Sequence, residues 1–232
     1  MPRKPKVISK TITEARIQPA PTRISHWTEL PMHIDMSPYA NWYRGITQRV
    51  AVNKPIGEKV VIVECGVRYG CSARIIKDAL DLVPPTELGY LQYELILIDP
   101  YLTPTMGRFM AEMTADPRVK YRKEKCEILA PFFDDNSIDL LHFDVSMHGQ
   151  EGFPLDPPGF EHGAGQAREM FELYKGKVAP GGCIVWHDAT DEFGVNRIVK
   201  EIEKNMQDEW TVERAVPQKA CMIAAPAVCW KK

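Results

Sequence analysis

The stretch Val60-Val61-Ile62-Val63-Glu64-Cys65-Gly66-Val67-Arg68-Tyr69-Gly70-Cys71-Ser72 decides the fold. Its first four residues are β-branched and apolar without alternation, as in a short strand buried on both faces of a parallel sheet. The strand runs directly into two glycines. Beyond them Ala73, Ile76, Leu80 and Val83 fall on one helical face, and Pro84-Pro85 stops that helix. Gly66 lets the backbone turn tightly and approach a ligand, and Gly70 permits close contact between the loop and the helix opening near Ser72. A strand, a glycine loop and a helix in this order open an α/β unit whose loop faces a ligand.

Outward from this unit the same alternation continues. Apolar runs predict strands at Leu95–Ile98, Val119–Arg122, Ile138–Phe143 and Cys183–Trp186. Helical faces are carried by Ala167, Met170, Phe171 and Tyr174, and by Val195, Ile198, Val199, Ile202 and Met206. Strand–helix alternation predicts an α/β fold, a doubly wound and mostly parallel sheet with right-handed crossovers. Two final runs, Thr211–Val216 and Ala220–Ala225, have no helical interval and read as an antiparallel edge pair, making seven strands. Before residue 58 the pattern differs. Ser37-Pro38 reads as a helix start, with Trp42, Ile46 and Val50 on one face and Asn53-Lys54-Pro55-Ile56-Gly57 as its end. Residues 1–57 are therefore expected as an N-terminal arm and cap helix, and 58–232 as the ligand-binding domain.

Open sheets of this kind bind ligands beyond the carboxyl ends of their strands, where strand order reverses. The loop reads E-x-G-x-x-x-G rather than the dinucleotide pattern G-x-G-x-x-G. The positive end of the following helix favours an anion, such as the amino-acid carboxylate of S-adenosylmethionine, while Glu64 can sit near the cationic part. Asp99, at the end of the second strand, is placed to accept hydrogen bonds from ribose hydroxyls.

Four segments together resemble a known family. Val63–Ile76 is similar to the first motif of class I, Rossmann-like methyltransferases. Asn136-Ser137-Ile138-Asp139-Leu140-Leu141-His142-Phe143-Asp144, Val178-Ala179-Pro180-Gly181-Gly182-Cys183-Ile184-Val185-Trp186-His187-Asp188 and Phe193-Gly194-Val195-Asn196-Arg197 resemble later stretches of the methyltransferase type 24 family, close to the cephalosporin-hydroxylase-like group. The resemblance covers roughly residues 58–225 in family order. It implies S-adenosylmethionine as cofactor, with Glu64, Gly66, Tyr69, Gly70, Ser72, Asp99 and Asp144 binding it, and O-methylation of a small molecule or sugar. One departure stands out: the family pattern D-G-D-H-x-Y is here Asp144-Val145-Ser146-Met147-His148-Gly149.

Asp144, His187 and Asp188 fall at the ends of adjacent predicted strands. Two carboxylates and an imidazole suffice for a divalent metal site, Mg2+ or another ion, completed by water. The alternative is metal-free chemistry with His148 or His187 as general base and Asp144 beside it. Gln150–Gln166, rich in glycine and proline, is expected as a mobile loop over the acceptor.

Composition narrows the partners. The 232 residues are 44% hydrophobic and 26% charged, as in a soluble globular protein, and the formal charge of −2 supplies no general field for a polyanion. The six cysteines (Cys65, Cys71, Cys126, Cys183, Cys221 and Cys229) form no C-x-x-C pair, which argues against a zinc cluster and suits a reducing cytoplasm. No apolar run reaches the roughly 18 residues of a membrane span. Met1–Lys10 is basic and reads as a solvated tail, with a nucleic-acid-binding arm as the alternative. Asp156-Pro157-Pro158-Gly159-Phe160 superficially resembles the D-P-P-Y turn of nucleic-acid methyltransferases but lies a dozen residues past Asp144, so nucleic acid is disfavoured against a small-molecule acceptor. Two further rivals are a subunit that keeps the fold without catalysis, and hydroxylase-like chemistry at an iron. The N-terminal arm needs a surface to pack on, which a second copy of the chain can supply in a homo-oligomer.

Overall fold

The computed structural model describes residues 37–55, 57–67, 70–85, 90–101, 104–144, 164–190, 194–217 and 225–232. A 3-10 turn (Ser37–Tyr39) leads into α1 (Ala40–Asn53), followed by β1 (Val60–Cys65), α2 (Cys71–Asp81), β2 (Tyr93–Ile98), α3 (Pro104–Met113) and β3 (Val119–Arg122). The short α4 (Cys126–Leu129), β4 (Ile138–Phe143), α5 (Ala164–Tyr174), β5 (Val178–Trp186), α6 (Val195–Asn205), β6 (Trp210–Arg214) and β7 (Ala227–Lys231) complete it. The seven strands lie in the order β3-β2-β1-β4-β5-β7-β6. The pairs β1–β2, β2–β3, β1–β4 and β4–β5 are parallel, while β7 runs antiparallel to both β5 and β6. Strand order thus reverses between β1 and β4, as the doubly wound reading expects.

The pleat sorts side chains into two cores. Ile62, Leu140 and Val185 face α1, α2 and α3, whereas Val63, Leu141 and Ile184 face α5 and α6. Every residue of β4 is buried, as in a strand covered on both faces, including its two polar side chains, Asp139 and His142. Helix α1 belongs to the first core, burying Tyr43, Ile46, Thr47 and Val50, while Trp42 is only half-buried. Asp139 ties its far end down, accepting from the Val61 amide at 2.8 Å and from the Lys54 ammonium at 2.8 Å.

Three elements differ from the sequence expectations. The last strand is Ala227–Lys231, not Ala220–Ala225, of which residues 220–224 lie outside the described residues. Pro226 has no N–H for a ladder, and the apolar run after it, Ala227-Val228-Cys229-Trp230, is buried throughout. Strand β5 starts five residues early, at Val178, because Pro180-Gly181-Gly182 bulges out and the chain resumes pairing at Cys183. Ala164–Gln166 is helical rather than part of a loop, and the remainder of the expected Gln150–Gln166 loop lies outside the described residues. Helices α3 and α4 add to the expected set.

Gly182 tests the bulge. A Cβ there would stand 2.8 Å from the Asp139 carbonyl oxygen and 2.9 Å from that of Ala179, both backbone atoms that cannot swing aside. Gly182→Ala is expected to cost about 2 kcal/mol of stability, within the range for overpacking. Chemical denaturation measures this, and a midpoint equal to that of the wild type would refute the tight contact.

Candidate active site at the carboxyl ends of the strands

The loop after β1 is held on both sides. The Gly66 amide donates to the Ile98 carbonyl at 2.9 Å, the Asp144 amide donates to the Cys65 carbonyl at 2.9 Å, and the Gly70 amide donates to the Val67 carbonyl at 2.7 Å. Both glycines have positive φ, 83° at Gly66 and 82° at Gly70. Gly70 is also constrained by space, since a Cβ there would stand 2.1 Å from the buried Phe109 ring of α3. The N-cap residue of α2 is Gly70, which has no side chain to cap the first turn.

Asp99 ends β2 and is 7% exposed. One carboxylate oxygen accepts from the Val67 amide at 2.9 Å and the other from the Tyr101 amide at 2.8 Å. The expected ribose acceptor therefore also braces the glycine loop. Glu64 lies fully buried in β1, and its Oε1 accepts from the Ser72 hydroxyl and lies 3.2 Å from Nδ1 of His142. Its Oε2 has no hydrogen-bond partner among the described residues. Ser72 thus touches Glu64 through its hydroxyl.

Asp144, His187 and Asp188 converge. Each offers one ligand atom, and these atoms lie within 4.8 Å of one another. Nδ1 of His187 stands 3.0 Å from Asp188 Oδ1 and 3.5 Å from Asp144 Oδ1. Asp188 adopts the left-handed region at φ 56°, and the His187 amide donates to the Phe143 carbonyl, fixing the end of β5 beside that of β4. Two carboxylates and one imidazole, all partly exposed, form a donor set that suits a divalent cation, with water for the remaining positions. Without a cation, the same imidazole between two carboxylates can accept a proton.

Four carboxylates therefore lie at the carboxyl ends of β1, β2, β4 and β5: Glu64, Asp99, Asp144 and Asp188. The field of three of them shows on Tyr43 of α1. Burial first, then the negative charges of Asp144, Asp188 and Glu64, raise its phenol well above the ordinary value. The thiol of Cys65 is likewise pushed up by burial, which makes it a packing residue rather than a nucleophile.

Of the residues expected from sequence, Glu64, Gly66, Gly70, Ser72, Asp99, Asp144, His187 and Asp188 all lie along this edge. Tyr69 and His148 lie outside the described residues. Sequence reasoning missed Tyr43, His142 and Phe109. His142 carried a signal: it is the one basic side chain inside a wholly buried strand, and such a group needs a partner.

A family profile described as "Methyltransferase domain" matches residues 63–189, more than half of the chain. The chain belongs to this methyltransferase family, whose members of this fold take the methyl group from S-adenosylmethionine. The match begins inside β1 and ends one residue past Asp188, so it spans the whole carboxyl edge. Solved structures agree in fold. A Streptococcus mutans protein assigned as a methyltransferase, solved in complex with S-adenosylhomocysteine, is 9% identical, with 84% of this chain and 98% of that one covered at a TM-score of 0.58. An rRNA methylase from Streptococcus thermophilus is also 9% identical, covering 85% and 96% with a TM-score of 0.52. A methyltransferase from Geobacter sulfurreducens is 13% identical, covering 82% and 78% with a TM-score of 0.52. No curated protein matches the chain.

Gly70→Ala combines a strained φ with the clash on Phe109, and is expected to destabilise by about 3 kcal/mol, the sum of typical strain and overpacking costs. Adding Phe109→Leu should recover part of that loss in thermal unfolding. Recovery of nothing would show that the two residues do not compete for the same space.

Proposed function

We propose that the protein transfers a methyl group from S-adenosylmethionine to an oxygen of a small molecule or sugar. The carrying observation is the gathering of Glu64, Asp99, Asp144 and Asp188 at the switch point, an acidic crevice beside an uncapped helix start. S-adenosylmethionine bears a sulfonium, an ammonium and one carboxylate. The carboxylates suit the two cations, and the first turn of α2 suits the anion. The buried Glu64 Oε2 has no donor among the described residues, and the ammonium or a water bound to it can supply one. Asp99 would take the ribose hydroxyls, with Gly66, Tyr69, Gly70, Ser72 and Asp144 completing the cofactor site.

The acceptor would lie beside Asp144, His187 and Asp188. A hydroxyl held there gives its proton to His187 while its oxygen attacks the methyl carbon. The carbon–sulfur bond breaks, and the thioether leaves neutral. His148 is the other base that the sequence offers. Asp144, His187 and Asp188 fit a divalent cation such as Mg2+, which when bound would lower the pKa of the acceptor hydroxyl and align it. The acidic crevice and the formal charge of −2 favour such an acceptor over a nucleic acid. No helix among the described residues is long and apolar enough to cross a membrane. The free, buried thiols of Cys65, Cys71, Cys126, Cys183 and Cys229 support a reducing, cytoplasmic setting.

Calorimetric titration with S-adenosylhomocysteine tests the reading. The wild type should bind, and Gly66→Arg should abolish binding. Asp99→Ala should weaken it about tenfold or more, as expected when charge-assisted hydrogen bonds are lost. Unaltered affinity in Asp99→Ala would sink the ribose assignment. A second titration, with Mg2+ and an acceptor analogue bearing vicinal hydroxyls, should show heat that disappears in Asp188→Ala. Heat that persists in that variant would exclude the cluster as the cation site.

A further inference from the structure

Tyr43, outside the family-matched segment, is linked to a carboxylate of the glycine-loop strand. Glu64 of β1 and His142 of β4 are direct partners in the parallel register, and the pleat turns both toward α1. There the hydroxyl of Tyr43 lies 3.2 Å from Nε2 of His142, whose Nδ1 is 3.2 Å from Glu64 Oε1. The Tyr43 and His142 rings pack edge to face with centroids 5.3 Å apart, and the His142 and His187 rings are likewise edge to face at 6.5 Å. Tyr43, His142 and Glu64 are 2%, 0% and 0% exposed.

The donor pattern follows from the groups themselves. A carboxylate only accepts, so Nδ1 of His142 carries the proton and donates to Glu64. Nε2 is then an acceptor, and the Tyr43 hydroxyl donates to it. Ser72 closes the other end by donating to the same Glu64 oxygen. The result is one continuous chain of polar groups from α1 through β4 and β1 to the first turn of α2.

We propose that Tyr43 and His142 are positioning residues for the methyl donor: they hold the Glu64 carboxylate with Oε1 fully committed and Oε2 turned to the cofactor, so that α1 is a working part of the site. This rests on the cofactor reading above. The geometry is otherwise costly to explain. Three polar groups sit in a core where apolar residues of like size would pack equally well, and a buried network is favourable only when each member is satisfied. Oε2, buried and without a partner among the described residues, is where the chain of hydrogen bonds ends.

The test uses the full chain and S-adenosylhomocysteine in calorimetric titration, for the wild type, Tyr43→Phe, Glu64→Gln and the double variant. Tyr43→Phe removes one oxygen and leaves the ring packing. It should weaken binding about fivefold, a shift in the usual range for coupling between sites, and should have less than about a twofold effect when Glu64 is already Gln. Ile46→Val on the same helix is the control for loss of packing alone: it should lower the melting temperature and leave the affinity unchanged. Equal affinities for the wild type and Tyr43→Phe, or equal losses in Tyr43→Phe and Ile46→Val, would overturn the relay while leaving the cofactor reading intact. Failure of the wild type to bind S-adenosylhomocysteine would overturn both.

Discussion

The parallel pairing of β1 with β4 is the constraint on which the site depends. At that seam the chain order reverses, which is where open α/β sheets offer a ligand site beyond the carboxyl ends of their strands. The seam is closed by the Asp144 amide on the Cys65 carbonyl, and by the register that sets His142 opposite Glu64. A slip of one residue would turn Glu64 and His142 toward the other core and would move Asp144 away from His187. The buried residues of both strands resist such a slip, since every apolar side chain would change faces with them.

Around the seam, packing and electrostatics pull in opposite directions. Gathering four carboxylates at one sheet edge is unfavourable in isolation, because like charges in a partly desolvated site repel. The protein offsets this locally by giving two of those carboxylates donors, backbone amides at Asp99 and the Ser72 hydroxyl and His142 at Glu64, and by setting the His187 ring between Asp144 and Asp188. The remaining deficit is what makes the crevice receptive to cations. Burial, reinforced by this negative charge, is the reason that Tyr43 keeps its proton so firmly.

Much of this was legible from sequence. The largely apolar run of β4 and the helical spacing of Ala167, Met170, Phe171 and Tyr174 fixed where those elements lie, since all four helix residues are buried. The strand–glycine–helix unit and the acids Asp99, Asp144 and Asp188 were expected at the carboxyl ends of the strands, and they lie there. What remained hidden depended on contacts between distant residues. Gly70 is a glycine partly because of Phe109, a residue thirty-nine positions later in an unanticipated helix. Strand β5 could not be extended past Pro180-Gly181-Gly182 by pattern, because a bulge is defined by the partner strand and not by its own residues. Tyr43 shares its helical face with Ile46 and Val50, and an aromatic there reads as core until His142 is seen beneath its hydroxyl.

The central claim is that the cofactor lies along the carboxyl ends of β1 and β2, in contact with the glycine loop and Asp99. Hydrogen–deuterium exchange with and without saturating S-adenosylhomocysteine tests it most directly, since it maps contact onto the backbone without altering a residue. The account predicts slowed exchange in the loop between β1 and α2, in the first turn of α2 and at Asp99–Tyr101, with β6 and β7 unaffected. Protection confined to other parts of the chain, or none at saturation, would contradict it.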